Sequence, residues 1–209
     1  MGNGLCATCT LDTVGGLYRD PKVEGSSGLA GTRLIADGGS DGLITVVGTQ
    51  DGTTFWSMTG QIQDRANGTL ALDFSSLGGP TELTGTYDKV DAKIYFDDEK
   101  KTDWNALTEF PVLGGNKSGI QGDIGGVFYD LDHVSETVGL KGLRYVSAFK
   151  NGTPVDEITI VGSDDGIDFW VWMGKYVNKA DGKFQINDTA GTFDDEGIKL
   201  DDGSRWQRA

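Results

Sequence analysis

A chain that repeats itself in order can fold in few ways, and this one does so in three blocks. Residues 15–20, GGLYRD, match residues 125–130, GGVFYD, at an offset of 110. Residues 45–62, TVVGTQDGTTFWSMTGQI, lie over 159–176, TIVGSDDGIDFWVWMGKY, at an offset of 114 with eight of eighteen positions identical. Residues 85–104 pair with 191–206, with shorter loops in the second copy. The order is kept, and Trp56 and Trp104 recur as Trp170 and Trp206, so the halves read as copies of one ancestor. The chain divides into an N-terminal arm (1–12), a first repeat (13–107), a linker (108–122) and a second repeat (123–209). A copy of about 90 residues is small for an independent core, so a pseudo-twofold pair sharing an interface is expected.

Within each copy the local pattern is that of strands. Apolar and β-branched runs such as LITVV, TLALDF and AKIYF recur between Gly, Asp and Asn clusters. Leu70, Leu72 and Phe74, and again Ile94 and Phe96, alternate with polar neighbours, which is the period of a strand with one buried face. Asn-Gly and Asp-Gly pairs, as at Asn67-Gly68 and Asp165-Gly166, supply the backbone that tight turns need. The fold class is therefore all-β: two homologous antiparallel meanders of about six strands each, related by a pseudo-twofold. Little helix is expected, at most a turn near residues 103–107 or in the linker.

Composition narrows the chemistry. With 18 basic and 32 acidic residues the formal net charge is -14, which repels nucleic acid and anionic membrane surfaces. No run of about 18 apolar residues suggests membrane insertion. The start lacks the pattern of a signal peptide and is compatible with a mature form whose transit peptide is gone. One His and two Cys leave few ligands and bases, so no enzyme activity, metal or cofactor is expected. Cys6 and Cys9 form a CxxC without a second ligand pair and read as part of a plain arm. His133, beside Asp130 and Asp132, has no counterpart in the first copy and no evident nucleophile. SDDGID (163–168) and LDDGSR (200–205) lack the spacing of a calcium loop and read as solvated turns.

The aromatic residues are the exception to this plainness. Phe55-Trp56 and Phe169-Trp170-Val171-Trp172 put a large ring on each face of a strand, because neighbours along a strand point to opposite sides. A core covers one face, and the other needs the sister repeat, a second subunit or a ligand. Candidate assembly-interface residues are Trp56, Trp170, Trp172, Tyr18, Phe128 and Tyr129.

With its duplicated pattern, and the closing elements IYFDDEKKTDW and IKLDDGSRW, the chain resembles the pyrenoid shell proteins of diatoms and related algae from residue 15 to residue 206. The resemblance implies a structural protein that assembles with itself into sheets or tubes around the Rubisco condensate. It implies a place at the pyrenoid periphery in the chloroplast stroma, with condensate components as further partners. It brings no catalytic residues. Two other readings stand beside it: a carbohydrate-binding β module using Trp and Asp, and a barrel whose aromatic residues line a small-molecule cavity.

Overall fold

The computed structural model describes residues 13–23, 28–111, 118–119, 122–133, 139–150 and 153–209. Eight strands form the first unit: β1 (Gly16–Arg19), β2 (Thr32–Asp37), β3 (Leu43–Thr49), β4 (Phe55–Asp64), β5 (Thr69–Leu72), β6 (Leu83–Asp88), β7 (Lys93–Phe96) and β8 (Asp103–Leu107). They pair antiparallel in chain order, and β8 returns to β1 with Leu107 opposite Leu17, so the sheet closes into a barrel. The second unit repeats this with β9 (Gly126–Asp130), β10 (Leu143–Lys150), β11 (Thr153–Ser163), β12 (Phe169–Asn178), β13 (Lys183–Ile186), β14 (Thr189–Phe193), β15 (Gly197–Leu200) and β16 (Arg205–Arg208). Trp206 lies opposite Asp130 where it closes.

The protein is thus all-β, two homologous antiparallel meanders related by a pseudo-twofold. Each has eight strands rather than about six. In the first barrel the two extra ones are β1 and β8, four and five residues long and too short for their alternation to stand out, and β9 and β16 are their counterparts in the second. The turn expected near residues 103–107 is instead β8, where Trp104 pairs with Ile94 and points inward. Among the described residues, helix is limited to two 3-10 turns, at Gly39–Asp41 and Ser75–Leu77.

Alternation fills each barrel. Ile35, Val46, Leu70, Leu72, Ile94 and Phe96 pack inside the first, and Val146, Ile160, Phe184, Ile186 and Ile198 inside the second. Residues of the opposite parity on β2–β4 and β10–β12 point outward and meet one another. Leu34, Val47 and Phe55 join Tyr145, Val161 and Phe169 in one buried cluster between the barrels. Phe55 meets Tyr145 edge-on with ring centroids 5.6 Å apart. The Tyr145 hydroxyl donates to Thr32 Oγ1 at 2.9 Å, and Ser147 Oγ donates to the Phe55 carbonyl at 2.8 Å. β4 touches β10, β2 touches β12, and β3 touches β11, which is the exchange a twofold relation requires. Each large side chain buried here contributes about 1.5–3 kcal/mol, so the interface holds the two barrels as one body.

One connection breaks the symmetry. Residues 73–82, between β5 and β6, fold over one end of the first barrel and bring Phe74 against Phe96 and Trp104, with centroids at 5.5 and 5.8 Å. The second barrel has only Asn187 and Asp188 in that place, between β13 and β14. There Trp172 stands where the first barrel has Met58, stacked on Trp170 at 4.2 Å and tilted against Trp206 at 6.1 Å. A larger side chain on the barrel wall does the work of the missing lid.

Candidate functional site

The same constellation sits inside one end of each barrel, and it begins with a buried arginine. In the first barrel the Arg33 guanidinium lies 4.9 Å from the Trp56 ring and 5.4 Å from Trp104. Nη1 donates to the carbonyls of Thr32 and Thr49 at 2.9 and 2.6 Å, and Nη2 to Gln50 Oε1 at 2.7 Å. Burial draws its pKa down to about 10, against the pull of Asp20 and Tyr145, so it keeps its charge at neutral pH. In the second barrel Arg144 lies 4.7 Å from Trp170 and 5.5 Å from Trp206. Its Nη1 reaches the Ser163 carbonyl at 2.7 Å, and Nη2 joins Asp130 at 2.7 Å and Asp164 at 2.5 Å. In both barrels the arginine Nε and the two indole N–H groups are buried without an acceptor among the described residues. The cation–π contacts supply the attraction that holds each guanidinium there.

A glycine makes room for the arrangement. A Cβ on Gly48 would lie 2.7 Å from Arg33 Cδ and 2.9 Å from the Trp56 ring; one on Gly162 would meet Arg144 Cδ and Trp170 at the same distances. The arginines were missed in the sequence reading. Their signal was a fourth aligned block, Leu29-x-Gly31-x-Arg33 against Leu140-x-Gly142-x-Arg144.

This placement corrects three of the six interface candidates. Tyr18 and Phe128 are fully enclosed at equivalent positions, and Trp56 is 4% exposed, so these rings are barrel interior and unavailable to a neighbouring molecule. Trp170 and Trp172 also turn inward and are only part-buried, at the end that lacks a lid. Tyr129 is half-buried between the barrels, edge-on to Phe110 at 5.4 Å, and burial pushes its hydroxyl up to about 12. The outward rings that needed a cover, Phe55 and Phe169, receive it from the sister barrel.

His133 does approach Asp130, with Nδ1 3.1 Å from Oδ2, but that carboxylate holds Arg144. Ligand atoms of Asp130, His133 and Asp164 lie within 4.8 Å of one another, the spacing of a metal site. The Arg144 guanidinium, bonded to both carboxylates, already supplies the cation there. The acidic turns are occupied in the same way. Asp51 Oδ1 accepts from the Thr53 and Thr54 N–H groups at 2.8 Å, and Asp165 Oδ1 from Ile167 and Asp168 at 2.8 Å. Cys6 and Cys9 lie outside the described residues.

A cleft of about 120 Å³ opens where the barrels meet. Thr45, Asp73 and Ser76 line it from the first barrel, and Glu157, Thr159 and Met173 from the second. Thr45 and Thr159 are equivalent through the duplication, so the cleft straddles the pseudo-twofold. Asp73 and Ser76 come from the connection that the second repeat lacks. The Asp73 carboxyl sits below the ordinary carboxylate range because the Ser75 hydroxyl and backbone N–H donate to it. Ser76 Oγ is buried with no hydrogen-bond partner among the described residues. Compared with known proteins, the chain matches no family model, no curated protein and no solved structure.

Proposed function

We propose that the protein is a structural subunit that associates with its own copies into sheets or tubes, as in the pyrenoid shell proteins it resembles. On this reading it lies at the pyrenoid periphery of the chloroplast stroma, and components of the Rubisco condensate are its further partners. One observation carries the proposal: what the duplication kept in both copies serves the fold. Arg33/Arg144, Trp56/Trp170, Trp104/Trp206 and Gly48/Gly162 build the barrel ends, and Asp51/Asp165 shape the turns. A protein whose repeated residues are spent on rigidity suits a role as a building block.

The basis for assembly shifts accordingly. The paired aromatic rings are covered within the chain, and closed barrels offer no free strand edge. Contacts between copies would then use outer walls and turns, where Val90, Ile167, Val177 and Met173 are exposed at 93%, 61%, 64% and 52%. A pseudo-twofold block presents similar walls at opposite ends, and head-to-tail contacts that do not close propagate as open arrays. The carbohydrate-binding alternative has less support, since every Trp ring turns into a barrel. Electron microscopy of the purified chain tests the proposal. Sheets or tubes are expected, and dispersed 22 kDa particles at every salt and protein concentration would refute it.

A further inference from the structure

The cleft between the barrels carries an inference that goes beyond assembly. Two carboxylates line it, Asp73 and Glu157, and none of its described lining residues is basic. Val155 and Met173 give it an apolar wall, and a thioether adapts readily to an alkyl group. No aromatic ring is among its described lining residues, so no platform is seen there on which a sugar would stack. Two carboxylates with neutral hydroxyls fall short of the ligand set that calcium prefers, six to eight oxygens with several carboxylates among them. An ammonium head has three donors and no acceptor, and it matches carboxylate and hydroxyl oxygens. The Ser76 hydroxyl, buried at the edge of the cleft, has no hydrogen-bond partner among the described residues. The volume, about 120 Å³, has room for a ligand of about five heavy atoms.

We propose that this cleft binds a small organic cation, a primary ammonium on a short apolar stem, with Asp73 as its anionic anchor. The site exists only in the fused, two-barrel chain, because both repeats and the extra connection of the first build it. The probe is n-butylammonium chloride, followed by saturation-transfer NMR on the ligand, so that the chain is usable whether dispersed or assembled. Sodium chloride is varied to keep the ionic strength constant. A dissociation constant on the order of 1 mM is expected, the range open to a ligand of this size. Asp73→Asn, which still accepts the Ser75 N–H, should weaken binding about tenfold, as expected for a lost charge-assisted hydrogen bond. Asp165→Asn removes the same charge away from the cleft and should leave binding unchanged. The proposal is overturned if n-butanol binds as well as the ammonium, if both Asn variants weaken binding alike, or if no transfer is seen up to 100-fold above the expected constant.

Discussion

The two barrel ends share an arginine and two tryptophans but differ in what else touches the guanidinium, and that difference sets a stability test. Arg144 bonds the buried Asp130, whose side chain is 7% exposed, and the half-exposed Asp164. Replacing it by Met refills the space over the Trp170 ring but leaves Asp130 without its cation. Removing one partner of a buried pair costs about 3–5 kcal/mol, while loss of the exposed Asp164 contact adds about 0–1 kcal/mol. Arg33 bonds two carbonyls and Gln50, and the nearest carboxylate oxygen, on Asp20, is 3.7 Å away. Met there recovers the desolvation of the guanidinium against three lost bonds, for a net of about 1–2 kcal/mol. Arg144→Met should therefore be the more damaging by about 2–4 kcal/mol, the difference between a total of about 3–6 and one of about 1–2 kcal/mol. Adding Asp130→Asn should recover about half of the excess, since Asn brings no charge. Equilibrium urea unfolding followed by tryptophan fluorescence measures all three. The reasoning fails if Arg33→Met is as costly as Arg144→Met, or if the Asn substitution recovers nothing.

Gly48→Ala and Gly162→Ala should each cost about 1–3 kcal/mol through overpacking against arginine and tryptophan, and thermal unfolding would expose an error if either is neutral. Shortening residues 73–82 to a two-residue turn uncovers the end of the first barrel and should cost about 2–4 kcal/mol, of which Met58→Trp, copying Trp172, should recover part; denaturant midpoints decide this. In Asp51, burial works against the charge but the Thr54 and Thr53 N–H groups outweigh it; in Asp165 the Ile167 N–H is the largest single cause of the lowering, with the Asp168 N–H and the Ser163 hydroxyl adding to it. Carboxyls more acidic in the fold than in the unfolded chain stabilise above the unfolded value near pH 4, and lose that contribution as pH falls through it towards the folded value. The Asp51→Asn, Asp165→Asn double variant should accordingly lose less stability between pH 5 and pH 3 than the parent; an equal loss in urea titrations would contradict it. Val90→Asp with Val177→Asp should reduce assembly in sedimentation without moving the unfolding midpoint, since both side chains are exposed.

The strand class and the pairing of halves were legible because they rest on short-range signals. Leu70 and Leu72, or Phe55 and Trp56, declare the two faces of a strand from spacing alone, and the collinear blocks declare the duplication. Barrel closure was not legible. It depends on whether β8 reaches β1, a contact between residues 17 and 107 that no local pattern encodes. The cover for Phe55 and Phe169 was foreseen as one of three options, and choosing among them needed the orientation of two closed sheets. Arg33 and Arg144 escaped notice for another reason: a charged residue in a strand reads as solvent-facing, and only its burial between two indoles reveals it as core. The cleft combines Asp73, from an unmatched connection, with Thr159 and Glu157 about 85 residues away, so neither repeat contains it.

A cross-linking measurement tests most directly whether the chain covers its own aromatic face. The Ser57 hydroxyl reaches the Phe149 carbonyl oxygen across the boundary between the barrels at 3.5 Å, and Ser147, on the same strand as Phe149, reaches that oxygen at 3.1 Å. In a Ser57→Cys, Ser147→Cys variant with Cys6 and Cys9 replaced by Ser, oxidation should join the two positions by a disulfide within one molecule, because Ser147 is too buried to admit a bulky reagent. The product should migrate as a cross-linked monomer at every protein concentration, in dispersed and assembled samples alike. Cross-linked dimers and higher ladders without the monomer product would mean that neighbouring molecules, rather than the sister barrel, cover those rings.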